Sequence, residues 1–297
     1  MTDADVAAAC VEPRTLTAAV AAALTDLGAG LATQLPKQTL PTGDGGFFLT
    51  VAGAVPALDL ATSKWASYRP GRAGSPGVST SAILVTRYGD AANLAFVEGM
   101  LATWLRTAAT AAAAARALCA EPPARLALVG FGPTNQWTLR YLAAVLPPRE
   151  VRVAVRSAAS AARAEAARGM LPEGCALFVT TDVAAAVRGA DLAVSATGAR
   201  TALADLGTLA ERGVAVSLDG SLTWRTGARD LVVTDRAADA GTGRDATAIF
   251  RPGQGKDRRV LADLAGSAVT DVALAAVLLG VARKGAPPQV VRGEARP

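Results

Sequence analysis

The 297-residue chain contains no histidine. This absence excludes histidine-based catalytic triads, histidine general bases and histidine metal ligands. Acid–base chemistry must therefore use Lys, Asp, Glu, Tyr, Cys or bound water. Lysine is the natural replacement, because burial or a nearby cation moves its pKa toward neutrality. We expect no bound metal.

Cysteines and aromatic residues are also scarce. Cys10, Cys119 and Cys175 are an odd number of cysteines, lie far apart and form no CxxC pair. This pattern favours reduced thiols in a cytoplasmic protein over a disulfide framework. The first residues, MTDADVAAAC, place acids where a signal peptide needs basic residues. Aromatic residues make up only 4% of the chain, so the core must be built mainly from Ala, Val and Leu.

Blocks of basic charge and membrane-length apolar runs are missing as well. The formal net charge is +5, but Lys and Arg are scattered, so we expect no nucleic-acid partner. The alanine-rich stretch 108–118 contains Arg116, follows Arg106 and is too short to span a bilayer. We expect it to be a helix without membrane association.

The first 120 residues predict a domain of α+β type. Residues 15–31 have apolar positions at helical spacing, and glycines end the run. Between 46 and 100, short apolar runs lie between Gly and Pro signals, which predicts a mostly antiparallel sheet. A long helix over about 101–119 follows, and the segment AEPPA then marks a domain boundary.

After residue 124, apolar runs alternate with helical segments. The predicted strands are RLALVG, EVRVAVR, CALFVTT, DLAVSAT, GVAVSLD and DLVVTD. This alternation predicts an α/β fold with a doubly wound parallel sheet of Rossmann type over 121–267. A terminal apolar helix, within about 268–297, is expected to pack back on the first domain.

The segment VGFGPTN joins the first of these strands to a helix. Gly130 allows a sharp turn, Gly132 lets the backbone approach a pyrophosphate, and the helix N-terminus offers free N–H groups to phosphate. Asn135 occupies the third glycine position of the GxGxxG pattern. We expect Pro133, Thr134 and Asn135 to lie on the phosphate side, where Thr134 or Asn135 contacts phosphate or caps the helix. The alternative is a structural turn without a ligand.

Two further strand ends are expected to contact the nucleotide. An acid after the second strand favours NAD, whereas an Arg suits the 2′-phosphate of NADP. Arg156 and Ser157 follow that strand, without an acid, so we favour NADP(H) over NAD(H). A solvated surface arginine is the alternative for Arg156. After the fourth strand, Ala196, Thr197 and Gly198 either let the backbone pass the nicotinamide-side ribose or form a plain tight loop.

Four segments resemble the ornithine cyclodeaminase/mu-crystallin family in order and spacing over about residues 30–275. They are KWASYRPG, STSAILVTRYGDAANLAFVEG, LRTAATAAAAARAL and VGFGPTN. The pattern is most similar to the branch that oxidises an N-carboxyalkyl amino acid to make 2,3-diaminopropionate. The resemblance implies a homodimer, in which domain 1–120 binds substrate and supplies the interface, and a Rossmann domain that binds NAD(P).

The resemblance also implies roles for single residues. Lys64 would bind the substrate carboxylate and help protons exchange, and Arg106 would grip a carboxylate through two hydrogen bonds. Thr107 would lie near the cofactor phosphates, and Asp219 would bind the substrate amine and stabilise an iminium. Without the resemblance, the simpler interpretation is structural. Lys64 would then be a surface lysine and Arg106 a helix-surface arginine. Thr107 would be a helix hydroxyl bonded to backbone, and Asp219 a turn residue.

Several positions depart from the family pattern. Lys37 stands near where a carboxylate-binding arginine is usual, Arg72 replaces an asparagine, and Ser79 or Thr80 falls at a substrate-contacting hydroxyl. The strand before Lys64 lacks the acid of the cyclodeaminases, which argues against ring-forming deamination of ornithine. The extra cation suggests an anionic substrate. Relative to the family, the chain begins late and is expected to lack the first strand.

These observations together predict a NAD(P)-dependent oxidoreductase of specialised metabolism, an amino acid dehydrogenase or imine reductase. Hydride would move between the nicotinamide and the substrate carbon that bears nitrogen. One alternative is a cyclodeaminase that releases ammonia and recycles the hydride internally. Another is a crystallin-like protein that binds NADP(H) without turnover, because a fold does not determine its chemistry.

Overall fold

The computed structural model describes residues 1–71, 77–199, 201–219, 223–235, 244–245 and 257–281. These residues form two compact units. The first unit comprises 1–11, 22–103 and the chain from 268, and the second comprises 12–21 and 104–267. Within the described ranges, no helix combines the length and the apolar character needed to cross a bilayer.

The secondary structure elements have the following bounds. The helices are α1 (Asp3–Ala8), α2 (Pro13–Gly28), α3 (Leu101–Leu118), α4 (Pro133–Val145), α5 (Ala158–Ala166), α6 (Val183–Val187) and α7 (Ala268–Leu278). The strands of the first unit are β1 (Thr33–Gln34), β2 (Gln38–Pro41), β3 (Phe47–Val55), β4 (Leu60–Arg69), β5 (Val78–Arg87) and β6 (Asn93–Glu98). Those of the second unit are β7 (Arg125–Val129), β8 (Glu150–Ala154), β9 (Ala176–Thr180), β10 (Leu192–Ser195), β11 (Ala204–Asp205), β12 (Val214–Ser217), β13 (Trp224–Arg225), β14 (Leu231–Thr234), β15 (Arg244–Asp245) and β16 (Val260–Asp263).

The first unit is built on an antiparallel sheet with the order β1-β3-β4-β5-β6, and β2 also pairs with β3. Buried and exposed residues alternate along the inner stretches of β4 and β5, so one face of the sheet is covered. Helix α7 packs against β3 and β4. Gly53 permits this approach, because a Cβ atom there would lie 2.9 Å from the Cβ atom of Ala268. The antiparallel sheet predicted for residues 46–100 is confirmed.

The second unit contains a parallel sheet with the order β9-β8-β7-β10-β12-β16-β14-β15. Strands β10 and β12 are buried along their whole length, as expected for a parallel sheet covered on both faces. The direction of winding reverses between β7 and β10, which pair with each other. The doubly wound parallel sheet is therefore confirmed, and its switch point lies where the glycine corner follows β7.

The sequence did not reveal two strands of this sheet, β15 and β16. Strand β16 lies between β12 and β14 and pairs with both, whereas the sequence pattern suggested GVAVSLD and DLVVTD as successive strands. Strand β16 is only four residues long, and the charged residues Asp257, Arg258 and Arg259 stand before it. The predicted strands β12 and β14 are just as short, so length alone does not explain why β16 was missed.

A buried hydroxyl in α4 leads to a stability prediction. Tyr141 is fully buried, its hydroxyl has no hydrogen-bond partner among the described residues, and burial raises the pKa of its phenol. An unpaired buried hydroxyl costs about 1–3 kcal/mol, so Tyr141→Phe is expected to raise the melting temperature by a few degrees in thermal unfolding. Tyr88, which is 51% exposed, gives the matched control Tyr88→Phe, with no expected change. A lower melting temperature for Tyr141→Phe would contradict the prediction.

Candidate functional site

The glycine corner after β7 is tight because of Gly130. This residue has a φ of +83°, and a Cβ atom on it would lie 2.6 Å from the carbonyl oxygen of Ala196 and 3.2 Å from Cγ2 of Thr197. Its own N–H donates to the carbonyl oxygen of Ala154 at 2.9 Å. Any side chain here would strain the backbone and displace the end of β10.

Gly132 opens the N-terminus of α4 to a ligand. It is the N-cap residue, Pro133 begins the helix, and a Cβ atom on Gly132 would meet no atom within 4 Å. The first turn of a helix has N–H groups without intrahelical partners, and the helix dipole favours an anion there. The open backbone and these donors fit the phosphates of a dinucleotide.

The side chain of Asn135 forms hydrogen bonds within the protein. Its side chain is fully buried, and its amide nitrogen donates to the carbonyl oxygens of Val129 at 3.1 Å and Gly130 at 2.7 Å. It therefore holds the corner against the end of β7 at the position of the third glycine. Thr134 is half-buried, and its carbonyl accepts a hydrogen bond from the hydroxyl of Thr138 at 2.9 Å.

A cleft of about 450 Å³ lies at this edge of the sheet. Its described lining includes the corner residues Gly130 and Gly132, the loop after β10 with Thr197 and Gly198, and Arg156 after β8, and contains no Asp or Glu. The cleft therefore joins the predicted phosphate side to the predicted nicotinamide side within the second unit.

The end of the cleft beyond β8 is cationic. Ser157 is the N-cap residue of α5, and its hydroxyl accepts a hydrogen bond from the N–H of Ser160 at 3.3 Å. Arg163 donates from Nη2 to the hydroxyl of Ser160 at 2.8 Å. Arg156 is exposed, and Arg156, Ser160 and Arg163 all line the cleft. Ser160 and Arg163 were not among the predicted site residues, although both lie within eight residues of Arg156.

Asp219 holds the loop after β10. One carboxylate oxygen accepts from the N–H of Thr197 at 2.6 Å and from its hydroxyl at 2.8 Å, and the other accepts from the hydroxyl of Ser217 at 2.9 Å. Ser195 links this carboxylate to the indole N–H of Trp224, which donates to the Ser195 hydroxyl at 3.1 Å. The carboxylate predicted to bind a substrate amine is thus fixed in orientation by hydrogen bonds.

Lys64 is buried in the first unit and paired with an acid. It is 4% exposed, and Nζ donates to Oδ1 of Asp271 at 3.1 Å and lies 2.8 Å from Oδ2. Asp271 belongs to α7 and is 1% exposed. The sequence offered one signal for this partner, because Asp271 is the single charged residue of an otherwise apolar helix.

Arg106 lies on α3 in the second unit and is almost fully buried. Gly266 has a φ of +101°, and a Cβ atom on it would lie 3.0 Å from Nη1 of Arg106. Asp235 fixes this glycine by accepting hydrogen bonds from the N–H groups of Ala265 at 2.6 Å and Gly266 at 2.8 Å. Thr107, the next residue of α3, is half-buried.

The remaining predicted substrate contacts are more scattered. Lys37 is exposed in the segment between β1 and β2, and Ser79 is exposed on β5 opposite Tyr68. Lys64 pairs with Ile83, four residues beyond Ser79, or about 13 Å along the strand. Arg72 lies outside the described residues.

Two other kinds of site find no support in the described part of the chain. No three His, Cys, Asp or Glu side chains are grouped there in a way that could hold a metal ion. Burial raises the pKa of the Cys119 thiol to about 12, so this cysteine is a poor nucleophile at neutral pH.

Comparison with solved structures shows the same fold in enzymes that bind nicotinamide nucleotides. An archaeal alanine dehydrogenase dimer with bound NAD has a TM-score of 0.81 and 18% identity, over 94% of both chains. The Δ1-pyrroline-2-carboxylate reductase of Thermococcus litoralis, in complex with NADH and L-proline, has a TM-score of 0.80 and 17% identity, over 95% of this chain and 98% of that one. At these identities, the likeness concerns the fold.

Sequence comparison supplies the family. A Rhizobium meliloti (strain 1021) protein with a provisional dehydrogenase name is 36% identical over 129 residues, which span 43% of this chain and only 39% of that protein. The model of the ornithine cyclodeaminase/mu-crystallin family matches residues 2–219, so the expectation from the four sequence segments is confirmed. The chain belongs to the ornithine cyclodeaminase/mu-crystallin family.

Proposed function

We propose that the protein is a NAD(P)-dependent oxidoreductase acting on an amino acid or its imine. The observation that carries this proposal is the open backbone at Gly132, at the switch point of the sheet and beside a cleft of about 450 Å³. A bound nicotinamide supplies the hydride chemistry. Membership in a family whose fold neighbours include an amino acid dehydrogenase and an imine reductase supports the substrate class.

The two units have separate tasks in this proposal. The second unit holds the nucleotide, with the corner at its phosphates and Thr197 and Gly198 near its nicotinamide end. Within the first unit, the buried ammonium of Lys64 is the proposed carboxylate-binding group. Within the second unit, the guanidinium of Arg106 is assigned to the same kind of group. Asp219 keeps the loop at Thr197 in shape, and its fixed charge stabilises positive charge that develops on the substrate nitrogen.

Turnover tests the assignment. Purified protein is titrated with NADPH and NADH by nicotinamide fluorescence, and keto acids with amines are then added while cofactor oxidation is followed. We expect binding and oxidation, and we expect Lys64→Ala and Asp219→Asn each to lower kcat/KM by about 100-fold or more, because each removes a charge that interacts with the substrate. Arg87→Ala and Asp257→Asn alter exposed residues and serve as controls.

The other outcomes separate the alternatives. Ammonia release without net cofactor oxidation would indicate a cyclodeaminase, and tight binding without any turnover would indicate a crystallin-like protein. If neither nucleotide bound, the glycine corner would be only a turn and the proposal would be wrong.

Nucleotide choice follows from the cationic end of the cleft. We propose a preference for NADP(H), because Arg156, Ser157, Ser160 and Arg163 surround the end of β8 without an acid. Arg156→Ala should weaken NADPH binding by about tenfold or more, which corresponds to about 1.4 kcal/mol, and should leave NADH binding unchanged. Arg168→Ala, at an exposed arginine that pairs with Glu165, is the control. Equal losses for both nucleotides would contradict this preference.

We also propose that the chain forms a homodimer through the exposed face of the first sheet. Trp65 and Phe96 are 51% and 54% exposed, Leu84 pairs with Phe96 across β5 and β6, and Phe48 stacks on Trp65 with ring centroids 5.6 Å apart. An apolar patch of this kind on a sheet is typical of an interface.

The oligomeric state tests this surface. The double variant Trp65→Glu/Phe96→Glu is expected to be monomeric in light scattering, because it would bury charge in an apolar interface. The control Phe178→Glu changes an exposed aromatic residue of the second unit and should remain dimeric. A monomeric wild-type protein, or a double variant that stays dimeric, would refute the proposed interface.

A further inference from the structure

Lys64 and Asp271 form a buried ion pair between β4 and the last described helix. Both side chains are almost inaccessible to solvent, at 5% and 0% relative exposure. The two residues are 207 positions apart in sequence, so the pair exists only when α7 is seated on the sheet. The start of that helix is held in place, because the N–H of Ala268 donates to Oε1 of Gln34 on β1 at 2.9 Å.

The described residues of the strands beside Lys64 include no carboxylate that faces it. On β3, Val51 stands directly opposite Lys64, and the strand has no ionisable residue. On β5, Ile83 pairs with Lys64, and the ionisable residue of this strand is Arg87 at its exposed end. The other ionisable side chains of β4 are Tyr68 and Arg69 at its far end. Among the described residues of these strands and α7, Asp271 is thus the acid that faces Lys64.

Burial of this kind determines what Lys64 can do. A buried ammonium without a counter-charge loses its proton easily, because the low-dielectric surroundings disfavour the charged form. A carboxylate at hydrogen-bonding distance reverses this tendency. The ammonium carries three N–H donors, so a carboxylate in contact with it fixes both its charge and its position.

We infer that Asp271 is a positioning residue of the substrate site, which keeps Lys64 protonated and holds its ammonium in place for the substrate carboxylate. This inference rests on the proposed function for the role of Lys64 in catalysis. Asp271 acts through Lys64 and contacts neither substrate nor cofactor.

The ionisation of Lys64 can be measured without any substrate. The chain has four lysines, so ¹³C-lysine labelling gives a simple NMR spectrum, and Lys64→Met assigns the signal of Lys64. In Asp271→Asn, the titration midpoint of this signal should be lower than in the wild type by about one pH unit or more. Asp271→Glu retains the charge and should therefore bring the titration midpoint most of the way back to the wild-type value. An unchanged midpoint in Asp271→Asn would overturn the inference.

Activity then tests the positioning role. In Asp271→Asn, kcat/KM is expected to fall by about tenfold or more at neutral pH. The loss of kcat/KM on the alkaline side of the pH profile should begin at a lower pH than in the wild type. NADPH binding should be unchanged. In a Lys64→Met background, Asp271→Asn should cause no further loss, because residues that act through one another are non-additive. Additive losses would mean that Asp271 acts independently, contrary to the inference.

Matched controls separate folding from function. Asp26→Asn removes another buried carboxylate of the first unit and should leave the Lys64 midpoint unchanged. If Asp271→Asn failed to fold, the Lys64 midpoint of the wild type would be the test, because a midpoint below neutral pH would show that Asp271 does not keep Lys64 protonated. Absence of turnover in the wild type would refute the proposed function, whereas normal wild-type turnover with an unchanged profile in Asp271→Asn would refute this inference alone.

Discussion

The close approach of the corner after β7 to the end of β10 is the constraint on which the proposed nucleotide cleft depends. Gly130 has a positive φ and lies against the backbone of Ala196, where a Cβ atom would be 2.6 Å from the carbonyl oxygen. Any larger residue would both strain the turn and push the two strand ends apart. Because they meet, the N-terminus of α4 and the loop at Thr197 border the same cleft. A ligand can then contact helix amides and loop backbone without a rearrangement of the sheet.

At this edge of the sheet, side-chain hydrogen bonds add to those of the backbone. The amide of Asn135 holds the corner through the carbonyl oxygens of Val129 and Gly130, and Asp219 holds the loop through Thr197. Fixed dipoles and charges need not reorganise when charge develops on a substrate, which is the usual source of electrostatic catalysis. In the proposed function, the same hydrogen bonds that shape the loop also preorganise the carboxylate of Asp219.

Local patterns predicted the fold more fully than the site. The alternation of apolar strands and helices after residue 124 is a short-range signal, so the parallel sheet and its glycine corner followed from the sequence. Strand β16 escaped notice, although the predicted strands β12 and β14 are just as short. Asp271 escaped notice because its partner Lys64 lies 207 positions away and no local pattern encodes a pair at that separation. The lone acid in the apolar helix α7 was the available clue.

The energetics of the buried pair argue that stability alone does not explain it. Helix α7 is apolar and buried over most of its length, so its contact with the sheet already provides a hydrophobic driving force for docking. Closing a loop tenfold longer costs only about 2 kcal/mol more, and apolar burial readily offsets that cost. By contrast, moving an ammonium and a carboxylate out of water costs several kcal/mol per ion, and a pair of apolar residues in their place is often at least as stable. An ammonium retained at such a cost, next to a carboxylate that keeps it charged, is more readily understood as a binding group for an anion than as part of the core.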